Sequence, residues 1–148
     1  RIPYFPETDY TFVGWVKPGA GQGGLRQVFS AWCRGMDDPL RVTIEGDEVS
    51  ARIEAGTAYR TPGFRIEREV WTHVAAVKQG ASLRLYVNGA KVGETAVPER
   101  VRSQALEIGV GFNPLWSGGE NLAATLDDFA FYARALSDEE VKAAMEGQ

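Results

Sequence analysis

The chain has 148 residues, 44% of them hydrophobic and 11% aromatic, with 20 acidic against 16 basic side chains and a formal charge of −4. A chain this long hides roughly 68–70% of its unfolded surface, and no run approaches the ~20 apolar residues of a membrane-spanning helix. Disorder, membrane insertion and general nucleic-acid binding are thereby excluded, and with one cysteine, Cys33, so are an intrachain disulfide and a cysteine zinc cluster.

In chain order, Asp9–Lys17 is rich in aromatic and β-branched residues and stops at Pro18, as a strand does. Gly19–Gly24 reads as a loop. Val28, Phe29, Ala31 and Trp32 mark a second strand, closed by the turn-like Arg34–Pro39. Leu40–Ile44 and Val49–Ile53 alternate apolar and polar residues about Gly46-Asp47, the pattern of an antiparallel hairpin. Residues Ala55–Glu69 read as a loop. Val70–Val77 and Ser82–Val87 form a further pair, and Asn88-Gly89, which both tolerate positive φ, turns the chain into Lys91–Val97. Ala105–Val110 and Ala123–Tyr132 complete the strands. Ser137-Asp-Glu-Glu140 is a capping box, and Val141, Ala144 and Met145 give a short helix one apolar face. Many short strands, regular turns and no internal repeat predict a single all-β sandwich over residues 1–148.

Four segments, in order, carry a resemblance to a known family: Asp9-Tyr-Thr-Phe-Val-Gly-Trp-Val-Lys-Pro18, Trp71-Thr-His-Val-Ala-Ala-Val77, Leu83-Arg-Leu-Tyr-Val-Asn-Gly89 and Leu126-Asp-Asp-Phe-Ala-Phe-Tyr-Ala-Arg-Ala-Leu-Ser137. Together they resemble the laminin-G-like branch of the concanavalin A-like lectin/glucanase superfamily. The resemblance implies a jelly-roll sandwich of two antiparallel sheets with a short C-terminal helix. It also implies a concave face of the kind used to bind glycans or protein ligands. Relatives often carry one calcium ion, which makes Asp127 the expected ligand here. Only eight residues precede the first strand, so an edge is expected to be left open or supplied by a parent protein.

The chemistry-bearing motifs argue against catalysis. Gly19-x-Gly21-x-x-Gly24 matches a dinucleotide fingerprint by spacing, but Pro18 intervenes and a strand follows where that motif needs a helix. Glu45-x-Asp47-x-x-Ser50 lacks the second carboxylate at the spacing a glycosidase strand requires. His73, the one histidine, lies inside a strand with no nucleophile elbow in the chain, and Cys33 reads as an apolar filler.

The segment Gly111–Asn121 is different: a long loop that holds Trp116 among small polar residues. An indole gives a flat apolar face on which a sugar ring stacks. Asn113 and Glu120, with Tyr59 and Arg60 from the other long loop, are the expected hydrogen-bonding neighbours. Trp15 and Trp71 fall in strands and read as core. The expectation is a non-catalytic, carbohydrate-binding module of a larger secreted or surface protein, its partner a glycan. The alternative is a structural domain that packs against a neighbouring protein domain of a multidomain enzyme, and a glycoside hydrolase ranks third.

Overall fold

The computed structural model describes all residues except Gln22, Ser117 and Gln148. The expected loops at Gly19–Gly24 and Gly111–Asn121 therefore fall partly outside the described residues. Among the described residues, eleven strands, β1 (Tyr10–Pro18), β2 (Leu25–Ser30), β3 (Asp37–Glu45), β4 (Glu48–Ala55), β5 (Ala58–Arg60), β6 (Phe64–Arg65), β7 (Thr72–Gln79), β8 (Ser82–Val87), β9 (Ala90–Ala96), β10 (Gly109–Val110) and β11 (Ala124–Tyr132), precede helix α1 (Asp138–Met145). They form two antiparallel sheets. The first runs β11-β1-β7-β8-β9 and the second β10-β2-β3-β4-β5, with β6 also paired to β4. The jelly-roll sandwich expected from the sequence is the fold observed.

Alternation explains how the sheets meet. In β3 and β4, Leu40, Val42, Ile44, Val49, Ala51 and Ile53 all enter the core between the sheets, so Arg41, Thr43, Ser50, Arg52 and Glu54 take the opposite face. Phe12, Val16, Val74, Ala76, Leu83 and Leu85 of the first sheet fill the other side of that core. Phe131 stacks on Phe29 at 5.7 Å and 7° and also meets Phe5 at 5.1 Å, which draws the segment before β1 into the core.

The first sheet buries part of its outer face as well. Val13, Ala75, Val77 and Tyr86 cluster there with Leu136 and Val141, under α1. The capping box is formed as the sequence predicts: the Glu140 amide donates to Ser137 Oγ, and the Ser137 amide to the Glu140 carboxylate. Such caps contribute about 1 kcal/mol, enough to hold an eight-residue helix that its own propensity would not. Asn88 (φ 51°) and Gly89 (φ 82°) make the predicted turn between β8 and β9.

Four expectations need correction. Residues 55–69 are not all loop, because β5 and β6 pair with β4 there. The strand expected at Ala105–Val110 shrinks to Gly109–Val110, and Ala105 is buried without being in a strand. The turn expected at Arg34–Pro39 is confined to Gly35-Met36, bracketed by the Arg34–Asp37 bridge, and β3 already starts at Asp37; the register shift between Asp38 and Arg41 accommodates Pro39, which has no amide for the ladder. Trp15 and Trp71 are not core residues: Trp15 is half-buried and Trp71 is exposed.

A candidate ligand recess on the second sheet

The outward face of the second sheet is polar and built in rows. Ser30 of β2, Arg41 of β3, Arg52 of β4 and Arg60 of β5 are successive cross-strand partners. One row along, Thr43 faces Gln27 on one side and Ser50 on the other. Arg41 is the hub. It donates to the Glu54 carboxylate at 2.6 Å and is ion-paired with Asp38, while Arg52 reaches the same Glu54 oxygen at 3.0 Å. Burial pushes the Asp38 carboxyl up to about 7, with Arg41 pulling the other way and Glu54 adding to the rise. Asp38 is fully buried and Glu54 nearly so. These two acids are spent on the arginine and present nothing to a substrate.

The loop between β10 and β11 closes over one end of this face, anchored to β2 by paired bonds. The Gln27 amide donates to the Glu120 carbonyl at 3.0 Å, and Gln27 Nε2 to Glu120 Oε2 at 2.8 Å. Ser30 Oγ donates to Asn113 Oδ1 at 3.2 Å. Gly109 permits the chain to double back, since a Cβ there would stand 2.3 Å from the Phe112 carbonyl oxygen. The result is an open recess of about 200 Å3 lined by Trp32, Arg41, Asn113, Trp116 and Glu120. Trp32 and Trp116 meet edge-to-face, with ring centroids 5.9 Å apart. Trp116 stays half exposed, while Asn113 is 6% exposed and forms floor rather than rim.

Of the residues expected from the sequence, the fold brings Trp116, Asn113 and Glu120 together. Arg60 shares their face but lies two strands from Arg41, roughly 10 Å away at ordinary strand spacing, and is ion-paired to Glu45 at 3.7 Å. Tyr59, the next residue along β5, turns to the other face and packs on the core, so it does not join the site. Trp32 and Arg41 were not foreseen as site residues. Arg41 was the visible clue, a charged residue in phase with Thr43 between the apolar Leu40 and Val42.

Asp127 lies on the first sheet, remote from this recess. Its Oδ1 accepts the Asp128 amide at 2.9 Å, and the two carboxylates line a second recess with Trp15 and Trp71. Calcium takes six to eight oxygens. Asp127 and Asp128 offer two carboxylates between indole rings, and no group of three or more His, Cys, Asp or Glu among the described residues is placed to hold a metal ion. Side-chain carboxylates alone do not complete a calcium site at Asp127.

The remaining nucleophile and base candidates, His73 and Cys33, are both shifted away from neutral pH by burial. His73 is buried with both ring nitrogens unpartnered among the described residues, and burial lowers its pKa to about 4. The Cys33 thiol is raised to about 11, chiefly by burial and then by Asp37. At neutral pH neither is poised to take or give up a proton.

A family model described as "Concanavalin A-like lectin/glucanases superfamily", of laminin-G type, matches residues 2–142. The chain belongs to that family. The fold of this laminin-G-like chain is shared with solved structures at low identity. The binding domain of botulinum neurotoxin DC in complex with SialylT is 12% identical, with TM-score 0.72 over 95% of this chain and 35% of that one. The binding domain of botulinum neurotoxin serotype D is 14% identical, with TM-score 0.74 over 100% and 38%. A native heptameric SAP-like pentraxin from Limulus polyphemus is 20% identical, with TM-score 0.70 over 96% and 76%. The laminin-G-like chain thus spans little more than a third of the toxin binding domains it matches. No curated protein matches it in sequence. No helix among the described residues is long and apolar enough to cross a membrane.

Proposed function

We propose that this laminin-G-like chain is a non-catalytic, carbohydrate-binding module of a larger secreted or surface protein. The observation that carries the reading is the recess at Trp116. It sets an exposed indole beside a second indole, with the Glu120 carboxylate and the Arg41 guanidinium in the same wall. A sugar presents one apolar face and a rim of hydroxyls. The indole takes the face, and the polar groups take the rim. Glycan recognition is also in keeping with a superfamily of lectins and with toxin binding domains of the same fold.

Hydrolysis is disfavoured by the same geometry. The acids on this face nearest to a pair, Asp38 and Glu54, are buried under Arg41. Glu45 and Glu120 lie on separate strands or loops with partners of their own. A glycosidase needs two reachable carboxyls at about 5–9.5 Å.

The test is a glycan array with the wild-type chain and Trp116→Ala. Retention of a defined glycan, lost in the variant with thermal unfolding nearly unchanged, supports the reading. Retention that survives the substitution removes this recess. The second reading, a domain that packs on a protein neighbour, draws on Phe112, Leu115 and Trp116, which expose three large apolar side chains on one loop. It predicts no glycan retention and association of the isolated chain in size-exclusion chromatography, weakened by the same variant.

A further inference from the structure

The outer face of the first sheet holds a second recess, of about 270 Å3, lined by Trp15, Trp71, Asp127 and Asp128. Successive residues of a regular strand point to opposite faces, yet here two neighbouring carboxylates share one hollow. The cause is a bulge. The register of β1 on β11 slips between Val13 and Trp15, and Asp128 sits at φ 45°, in the left-handed region. Bulges re-aim side chains in this way.

The two carboxylates in this hollow have no direct ion-pair partner among the described residues, and the cation on the same face of β1 is Lys17, two residues from Trp15 and across from Thr125. The basic residue directly across the strand from Trp15 is His73, buried and edge-on to that indole at 5.2 Å. Its pKa of about 4 keeps it neutral. Two negative charges thus stand beside two tryptophans, one of them 40% exposed. A metal ion would find only two side-chain carboxylates and would leave the indole faces unused, and a neutral sugar would leave both charges unanswered. An organic cation answers both features: indole faces attract positive charge, and alkyl groups around it pack on the rings.

We propose that Trp15, Trp71, Asp127 and Asp128 form a binding site for an alkylammonium group, a quaternary or methylated amine. The site lies on a different sheet from the Trp116 recess, so neither reading depends on the other.

The test is an NMR titration of the full chain with tetramethylammonium chloride, with sodium chloride at equal ionic strength as the control. The indole N–H signals of Trp15 and Trp71 should shift and saturate, while those of Trp32 and Trp116 stay in place. Asp127→Asn with Asp128→Asn removes the charge and keeps the shape, and Asn tolerates the left-handed backbone at 128. This double variant should bind about tenfold or more weakly. Should it fail to fold, Trp71→Leu at the exposed ring carries the same comparison. Shifts no larger than those from sodium chloride, binding undiminished in the variants, or an equal response to neutral tert-butanol or a methyl glycoside would overturn the proposal.

Discussion

Trp15 and His73 stand directly opposite each other on β1 and β7, their rings 5.2 Å apart and inclined by 70°. The contact keeps the imidazole away from water with no hydrogen-bond partner for either nitrogen among the described residues.

A neutral imidazole held this way makes stability depend on pH. Burial lowers the His73 pKa from 6.5 to about 4, so between those values the unfolded chain binds the proton and the folded chain does not. Stability from this group is complete above pH 6.5 and is lost as the pH falls through about 4, on the order of 3 kcal/mol in all. Asp38, raised to about 7, works in the opposite sense over an overlapping range, because its folded form holds the proton more tightly. The comparison that isolates His73 is therefore wild type against His73→Leu, in which the Asp38 contribution cancels. Urea unfolding at stepped pH should show the variant gaining on wild type as the pH drops from 6.5 to 4. Parallel profiles would mean that the imidazole is solvated or partnered.

Arg41 predicts a large and asymmetric effect. Arg41→Met removes the charge that compensates two carboxylates with 0% and 5% exposure. Breaking a buried ion pair from one side costs about 3–5 kcal/mol. Adding Asp38→Asn and Glu54→Gln to the same variant should restore most of that loss, since no buried carboxylate is then left unpaired and Arg52, which loses Glu54, keeps a side chain 26% open to water. Chemical denaturation of the single and triple variants measures the difference. Equal stability of the two would show that water reaches the acids.

The fold was legible where a period or a turn residue repeated often enough to be read. The β3–β4 hairpin alternates over Leu40–Ile44 and Val49–Ile53, and Asn88-Gly89 and the Ser137 capping box need only local chemistry. β5 and β6, three and two residues long, are too short to carry a period, and they exist because β4 offers them an edge. Ala105–Val110 looked like a strand because Ala105 and Ile108 pack on the core, which a non-strand segment can also do. Trp15 and Trp71 were misread because alternation says which residues share a face, not whether that face is covered. Helix α1 covers Val13 and Ala75 but leaves the Trp15 end open. The recess was half legible. Trp116, Asn113 and Glu120 lie close in sequence, whereas Trp32 is brought in from the far end of β2 by tertiary folding.

Lys78 predicts a local effect that a global melt would miss. Its buried ammonium donates to the carbonyls of Thr8, Gly80 and Glu99 at 2.7, 2.7 and 2.8 Å, which ties the segment before β1 to the one after β9. The Val101 amide joins the same segments through Glu7 O at 2.8 Å. Lys78→Met keeps the aliphatic stem and strips three acceptors of their donor, at a cost of about 2–4 kcal/mol. Hydrogen exchange at Val101 should accelerate more than exchange in β3 and β4. Uniform acceleration would show that the lysine supports the whole sandwich and not this junction.

Gln27 separates holding the loop from touching the ligand. It is fully buried, and its side chain and backbone both donate to Glu120, yet it does not line the Trp116 recess. Gln27→Leu preserves bulk and removes the side-chain donor, leaving Glu120 without it and costing about 1–2 kcal/mol. If the recess holds a glycan, retention should weaken as well, because the loop that carries Trp116 and Asn113 loses one of its bonds to β2 and the Glu120 carboxylate is no longer held. Gln27→Glu should be worse than Gln27→Leu in both respects, since it sets a second carboxylate 2.8 Å from the first. Thermal unfolding and glycan retention measured on both variants decide the matter. A loss of stability with retention unchanged would mean that the ligand surface does not need the loop in this position.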